Sequence, residues 1–245
     1  MWRYGLEGSF VMLGRRVPIV IGGLIGATLL ASIVGALGFR AGLPLLPMAA
    51  LVPAQVWRGE LWRLVTWVFF ELDPISLIFA CLVLWWFGQD LCTGWGPRRF
   101  LRFFLGCTVS TGVLTTLAGR LTGWQALLGN PFLGAWPIAD AIILAWASAF
   151  PSRRMLFYFV LPVGGETLVY LVIGGTVLFA IFQGLGPYVP HLMAEGLALL
   201  YLKGMPLRRL WLRLRLASLE RQYRRDSRHL RIVRSDDDGK DRWLH

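Results

Sequence analysis

Three ionisable side chains stand inside long apolar runs of this chain: Asp140, His191 and Glu195. A charge at membrane depth is costly and is usually kept for a partner or a function. Asp140 follows Trp136 by four residues, and Glu195 follows His191 by four, so each pair shares one helix face. An imidazole beside carboxylates can hold or pass a proton, bind a partner, or knot helices together by hydrogen bonds. Other chemistries find no residues to carry them. H-E-x-x-H is absent and too few ligands remain for a metal, so no metal site is expected. Aspartyl intramembrane proteolysis needs paired carboxylates on G-x-G-D-type spans, and there is one mid-span Asp. No phosphate loop or dinucleotide fingerprint occurs, and no cofactor is expected. Glu71, Asp90 and Glu166 are expected simply to sit near an interface.

The elements that must position these residues are membrane helices. Of 245 residues, 56% are hydrophobic and twelve are tryptophan; the mean hydropathy is +0.58. Apolar runs reach the roughly 20 residues that cross a bilayer. Only helices or closed barrels satisfy their backbone in lipid, and the short alternating segments of a barrel are missing. The fold class is therefore all-α, a polytopic membrane protein. Spans are expected at about 17–39, 75–91, 100–118, 132–150, 155–182 and 189–202. The fifth carries Pro162-Val163-Gly164-Gly165 near its start and is expected to kink there. Residues 40–74, broken by prolines and rich in Trp and Arg, suit short interfacial helices. Cys81, Cys92 and Cys107 read as small packing residues. Gly22, Gly26, Gly164, Gly165, Gly174 and Gly175 read as helix-contact residues.

The run W-R-G-E-L-W-R-L-V-T-W-V-F-F from Trp57, a polar break, and a span ending in W-W-F-G at Gly88 resemble the rhomboid family of intramembrane serine proteases. The resemblance covers about residues 17–204. It implies a six-helix bundle with interfacial helices in the first loop. It also implies where chemistry should stand. The nucleophile's G-x-S-G is matched by Gly134-Ala135-Trp136-Pro137, so Trp136 occupies the serine position. The oxyanion histidine and asparagine are matched by Ser76 and Ala80. His191 alone remains, at the base position. If the family's fourth and sixth spans pack together here, Asp140, His191 and Glu195 form one buried polar cluster. An indole carbon cannot attack a carbonyl, and Pro137 lacks an N–H to offer an oxyanion. Ser110 and Ser148 stand on no G-x-S-G turn and are expected to bond back to their own helices.

The resemblance thus implies a catalytically inactive rhomboid-like protein that binds transmembrane segments or partner membrane proteins. Trp136 is expected to plug the vacated cavity. Two alternatives stay open: a diverged active rhomboid protease, or a transporter or proton-linked protein using Asp140 and His191. Charge placement gives topology. Arg3, Arg15, Arg16, Arg98, Arg99, Arg102, Arg153 and Arg154 fall on the side of the tail if there are six spans. Arg40, Arg58, Arg63 and Arg120 fall opposite, so both termini are expected in the cytoplasm of a bacterial-type inner or plasma membrane. Residues 1–204 are read as the membrane domain. Residues 205–245 are read as a basic tail, its helix lying on anionic lipid headgroups and its end disordered. Residues 203–245 hold thirteen Lys/Arg against six Asp/Glu, a net of +7. Beside a span this favours lipid over nucleic acid, which is not expected as a partner.

Overall fold

The structure is a computed structural model describing residues 8–12, 15–151, 153–157 and 161–202. The expected tail lies outside the described residues. The chain opens with β1 (Ser9–Met12) and β2 (Arg15–Pro18), an antiparallel pair. Then follow α1 (Ile19–Arg40), three short helices α2 (Leu45–Ala49), α3 (Pro53–Val56) and α4 (Arg63–Thr66), and a 3-10 turn Trp67–Phe69. Next, α5 (Pro74–Val83), a π-helical turn Leu84–Gly88 and α6 (Gln89–Trp95) run on as one helix. After it come α7 (Pro97–Thr122), the short α8 (Gln125–Gly129) and α9 (Trp136–Ala149). A second antiparallel pair, β3 (Arg154–Phe157) and β4 (Leu161–Gly164), leads to α10 (Gly165–Gln183) and α11 (Leu185–Leu202).

Among the described residues four helices are long and apolar enough to cross a membrane: Ile19–Arg40, Pro74–Trp95, Pro97–Thr122 and Gly165–Gln183. At 1.5 Å per residue, 22 residues reach about 33 Å, the depth of a hydrocarbon core. The 14 residues of α9 reach only about 21 Å. That helix is the centre of the bundle. Ile138, Ala141, Leu144 and Ala145 are fully buried in it, and α11, α10, α5 and the π turn all pack on it. A short central helix needs no lipid-facing length.

The fifth span departs from expectation. Residues 154–157 and 161–164 are strands rather than helix; they form the β3–β4 pair, and α10 begins only at Gly165. In a two-stranded pair every strand is an edge, so Pro162 can lack an N–H without breaking a central ladder. Glu166, in the first turn of α10, suits the positive end of the helix that starts there. With two short strand pairs beside its helices, the fold is that of an α-helical membrane protein.

Residues 41–73 hold three helices of four or five residues, as the prolines foretell. The Trp62-Arg63 dipeptide organises them. Arg63 is buried, and its guanidinium donates to Pro47 O at 2.6 Å, Ala50 O at 2.5 Å and Glu60 Oε2 at 2.6 Å. Trp62 Nε1 donates to Met48 O, and Thr66 Oγ1 to Ala49 O. A planar fork of five donors can close a loop of carbonyls in this way, and a lysine cannot. The loop therefore presents a fixed edge to the start of α5.

Packing glycines are mostly not those expected. A Cβ on Gly26, Gly164, Gly174 or Gly175 would meet nothing, whereas one on Gly165 would lie 2.6 Å from Ala147 O. The backbones of α9 and α10 touch there. Cys92 and Cys107 are buried and Cys81 half-buried, all three as free thiols.

Candidate functional site

The polar cluster assembles from three helices. His191 of α11 faces Asp140 of α9, with Nδ1 and Oδ2 2.6 Å apart. An ionised carboxylate accepts only, so against ionised Asp140 the Nδ1–H is the donor. The two side chains keep 20% and 15% of their exposure. Tyr188, one turn earlier on α11, lies beside the imidazole with ring centroids 5.5 Å apart, and stacks on Phe179 of α10. Its hydroxyl donates to Gln183 Oε1. Glu195 is buried within electrostatic reach of both Asp140 and His191. Its hydrogen bond goes elsewhere: Thr176 Oγ1 of α10 donates to Glu195 Oε1 at 2.5 Å. The four side chains thus tie α9, α10 and α11 together at one level. Thr176 could not be picked from the sequence, because threonines are common in these helices and its partner lies in another one.

The positions that matched catalytic residues are occupied otherwise. Trp136 opens α9 with Pro137 next to it. Its indole does not fill a cavity: it is 40% exposed and leans on Phe79 of α5, ring centroids 5.9 Å apart. The expected plug is thus corrected: the indole turns outward onto Phe79 and lies along the outer seam of α5 and α9. An apolar cavity does lie along that seam, lined among others by Ala80, Val83, Ala135 and Ala139, and Trp136 is not in its wall. Ser76 serves as part of a helix cap. Its N–H and Oγ–H both donate to the Asp73 carboxylate, at 2.9 and 2.6 Å. That carboxylate caps α5, with Pro74 in the first position. These hydrogen bonds hold Asp73 below the ordinary carboxylate range. Ala80 is buried and offers no donor.

Among the described residues no serine hydroxyl is hydrogen-bonded to His191. Ser148 is exposed near the far end of α9. The expected bonds from Ser110 and Ser148 to their own helices are not formed among the described hydrogen bonds.

Glu71 is the residue the sequence undersold. It is buried within the protein, 6% exposed, between the 3-10 turn and α5. Its Oε1 accepts the Ala135 N–H at 2.6 Å, which satisfies an orphan donor at the start of α9. Its own N–H donates to Ser32 Oγ of α1, which donates in turn to Phe69 O. Gly134 makes room, with φ +110° and a would-be Cβ 2.9 Å from Glu71 Oε2. Gly134 N–H donates to Trp67 O. Burial is the main cause that raises the Glu71 carboxyl from 4.5 to about 7; the Ala135 N–H pulls it down and Asp73 pushes it up. The backbone donor at α9's start is thus already taken, and Pro137 has none. The one signal in the sequence was a carboxylate placed directly after an apolar W-V-F-F run.

Fold and site define an α-helical integral membrane protein with a histidine and carboxylates bonded between its helices. The chain belongs to the family described as "Eukaryotic integral membrane protein (DUF1751)", which matches residues 20–213. That description names eukaryotes, so it gives no support to a bacterial-type membrane. None of the curated proteins matches the chain.

Proposed function

We propose that this protein is a catalytically inactive, rhomboid-like six-span membrane protein that holds transmembrane segments of other proteins without cutting them. The observation that carries the reading is Trp136 in the nucleophile's place, with Ser76 and Ala80 where the oxyanion donors would stand. A peptide bond needs a nucleophile, a base and oxyanion donors. Here Asp140 holds the imidazole much as a base would be held, but Ser76 is bound to Asp73, the Ala135 N–H to Glu71, and the nucleophile is an indole. α9 and α11 count as the two spans that are short because they are sheathed. Both termini lie in the cytoplasm on the positive-inside count, and the basic tail rests on anionic headgroups.

Client binding draws on the outer seam. Trp136 and Phe79 stand side by side, two-fifths exposed each. A tilted aromatic pair, its indole on the helix that carries Asp140, suits a helix with a polar side chain at membrane depth, which would otherwise face lipid. The test uses the full chain in liposomes with a single-span helix bearing mid-span asparagine and a photo-crosslinker. Crosslinking to the α5/α9 face is expected, with the helix recovered at full length. Trp136→Ala is expected to lower capture about ten-fold, the usual order for an aromatic anchor. Recovery of a cut helix, lost in His191→Ala, would overturn the reading, as would capture that ignores Trp136.

A further inference from the structure

The continuous helix Pro74–Trp95 is tied to α9 at both ends by carboxylates. At α9's start, Glu71 just before α5 accepts the Ala135 N–H. At α9's far end, Asp90 of α6 accepts Trp146 Nε1 at 2.9 Å and Arg153 Nη1 at 2.7 Å. Between the two ties the helix passes through the π turn Leu84–Gly88, and such turns are where helices bend.

The ties differ in kind. Asp90 keeps a cationic partner and a 37% exposed side chain, surroundings that suit a charge. Glu71 is buried with no cation bonded to it among the described residues. The seam that Glu71 closes also borders a small cavity, walled by Ala80 and Val83 of α5 and by Ala135, Ile138, Ala139 and Ile142 at and beyond the start of α9. The exposed Phe79–Trp136 contact spans the same seam.

We propose that Glu71 is a releasable latch: when its carboxylate leaves Ala135, α5 parts from the start of α9, bending at the π turn while the Asp90 end stays fixed. The latch answers to pH. Facing Glu71 from the α5 side are Asp73 and Cys81. Asp73 stays ionised and the thiol neutral between pH 5 and 8. At the start of α9 the carboxyl meets the Ala135 amide, and the Glu71 backbone meets the Ser32 hydroxyl of α1; among the described residues neither bond brings a titratable group. Glu71 is therefore the group that titrates. Latched, it holds its proton up to about pH 7; released into water, it returns toward 4.5. A carboxyl raised in the closed state stabilises closure below its ordinary value, and that stabilisation is lost as pH rises to about 7. Neutral pH loosens the latch and acid holds it.

Amide hydrogen exchange on the full chain in nanodiscs, between pH 5 and 8, reads the latch directly at Ala135. After division by the intrinsic exchange rate, protection there is expected to fall at least about ten-fold, one decade per unit of pKa difference realised. Protection at 91–95 and 146–149 is expected to hold. Glu71→Gln keeps an acceptor for Ala135 but cannot ionise, and should give a flat profile. Asp73→Asn keeps the α5 cap and removes a neighbouring charge, so it should move the wild-type midpoint to lower pH. Should Glu71→Gln fail to fold, Asp73→Asn decides. A wild-type profile that is flat, a Glu71→Gln profile that still falls, an unmoved midpoint in Asp73→Asn, or both ends losing protection together would each overturn the latch.

Discussion

His191→Ala is expected to destabilise the membrane domain by about 3 kcal/mol, because it strands the Asp140 carboxylate without the donor that satisfies it. The pair joins α9 to α11 at 2.6 Å with both side chains mostly shielded, so water can replace the imidazole only in part. The asymmetry is diagnostic. Taking away one partner of a buried pair is costly, whereas taking away both can be close to neutral. Asp140→Ala/His191→Ala should therefore recover more than half of the loss seen in His191→Ala. Reversible unfolding in mixed micelles, with both single variants, closes the cycle. Additive effects of under about 0.5 kcal/mol would mean that the two groups do not hold each other. A coupling that survives only with Thr176 and Glu195 present would place the whole four-residue cluster in one network.

Gly165→Ala should cost a similar amount for a different reason. The new methyl would sit 2.6 Å from the carbonyl oxygen of Ala147 and 3.3 Å from its carbon. Backbone cannot turn aside as a side chain can, so α9 and α10 must move apart. Overpacking of this kind costs about 1–3 kcal/mol, toward the upper end where the clash is with backbone. Gly174→Ala is the matched control. It lies in the same helix with nothing near the added methyl, and it should be neutral or stabilising by up to about 1 kcal/mol. The same unfolding assay distinguishes them. Equal behaviour of the two variants would mean that α10 does not press on α9 at Gly165.

What could be read in the sequence follows from how far apart the interacting residues lie. The span 75–91 and the Trp62-Arg63 loop were legible because apolar length, proline punctuation and Trp/Arg clustering are local signals. Asp140 and His191 stood out because charges in apolar runs are rare, and the fold does bring them into contact. Glu195 stood out equally, yet its partner Thr176 carries no such mark. The β3–β4 pair was read as part of a span because hydropathy alone does not separate a membrane helix from an apolar hairpin. Pro162 was taken as a kink, when it marked residues outside the helix. Glu71 and Ala135 are 64 positions apart, so nothing local showed that a loop carboxylate closes the start of α9. Trp136 was rightly singled out by its position, but its direction, outward onto Phe79, depends on how α5 packs.

The proposed loss of proteolysis is tested most directly by active-site labelling with a fluorophosphonate in native membranes, read by mass spectrometry of the adducted peptide. A chain with an indole in the nucleophile's place gives no serine adduct, and Trp136→Ser alone gives none either, since Ser76 stays with Asp73 and the Ala135 N–H with Glu71. A serine adduct that forms in the unmodified protein and vanishes with His191→Ala would contradict it.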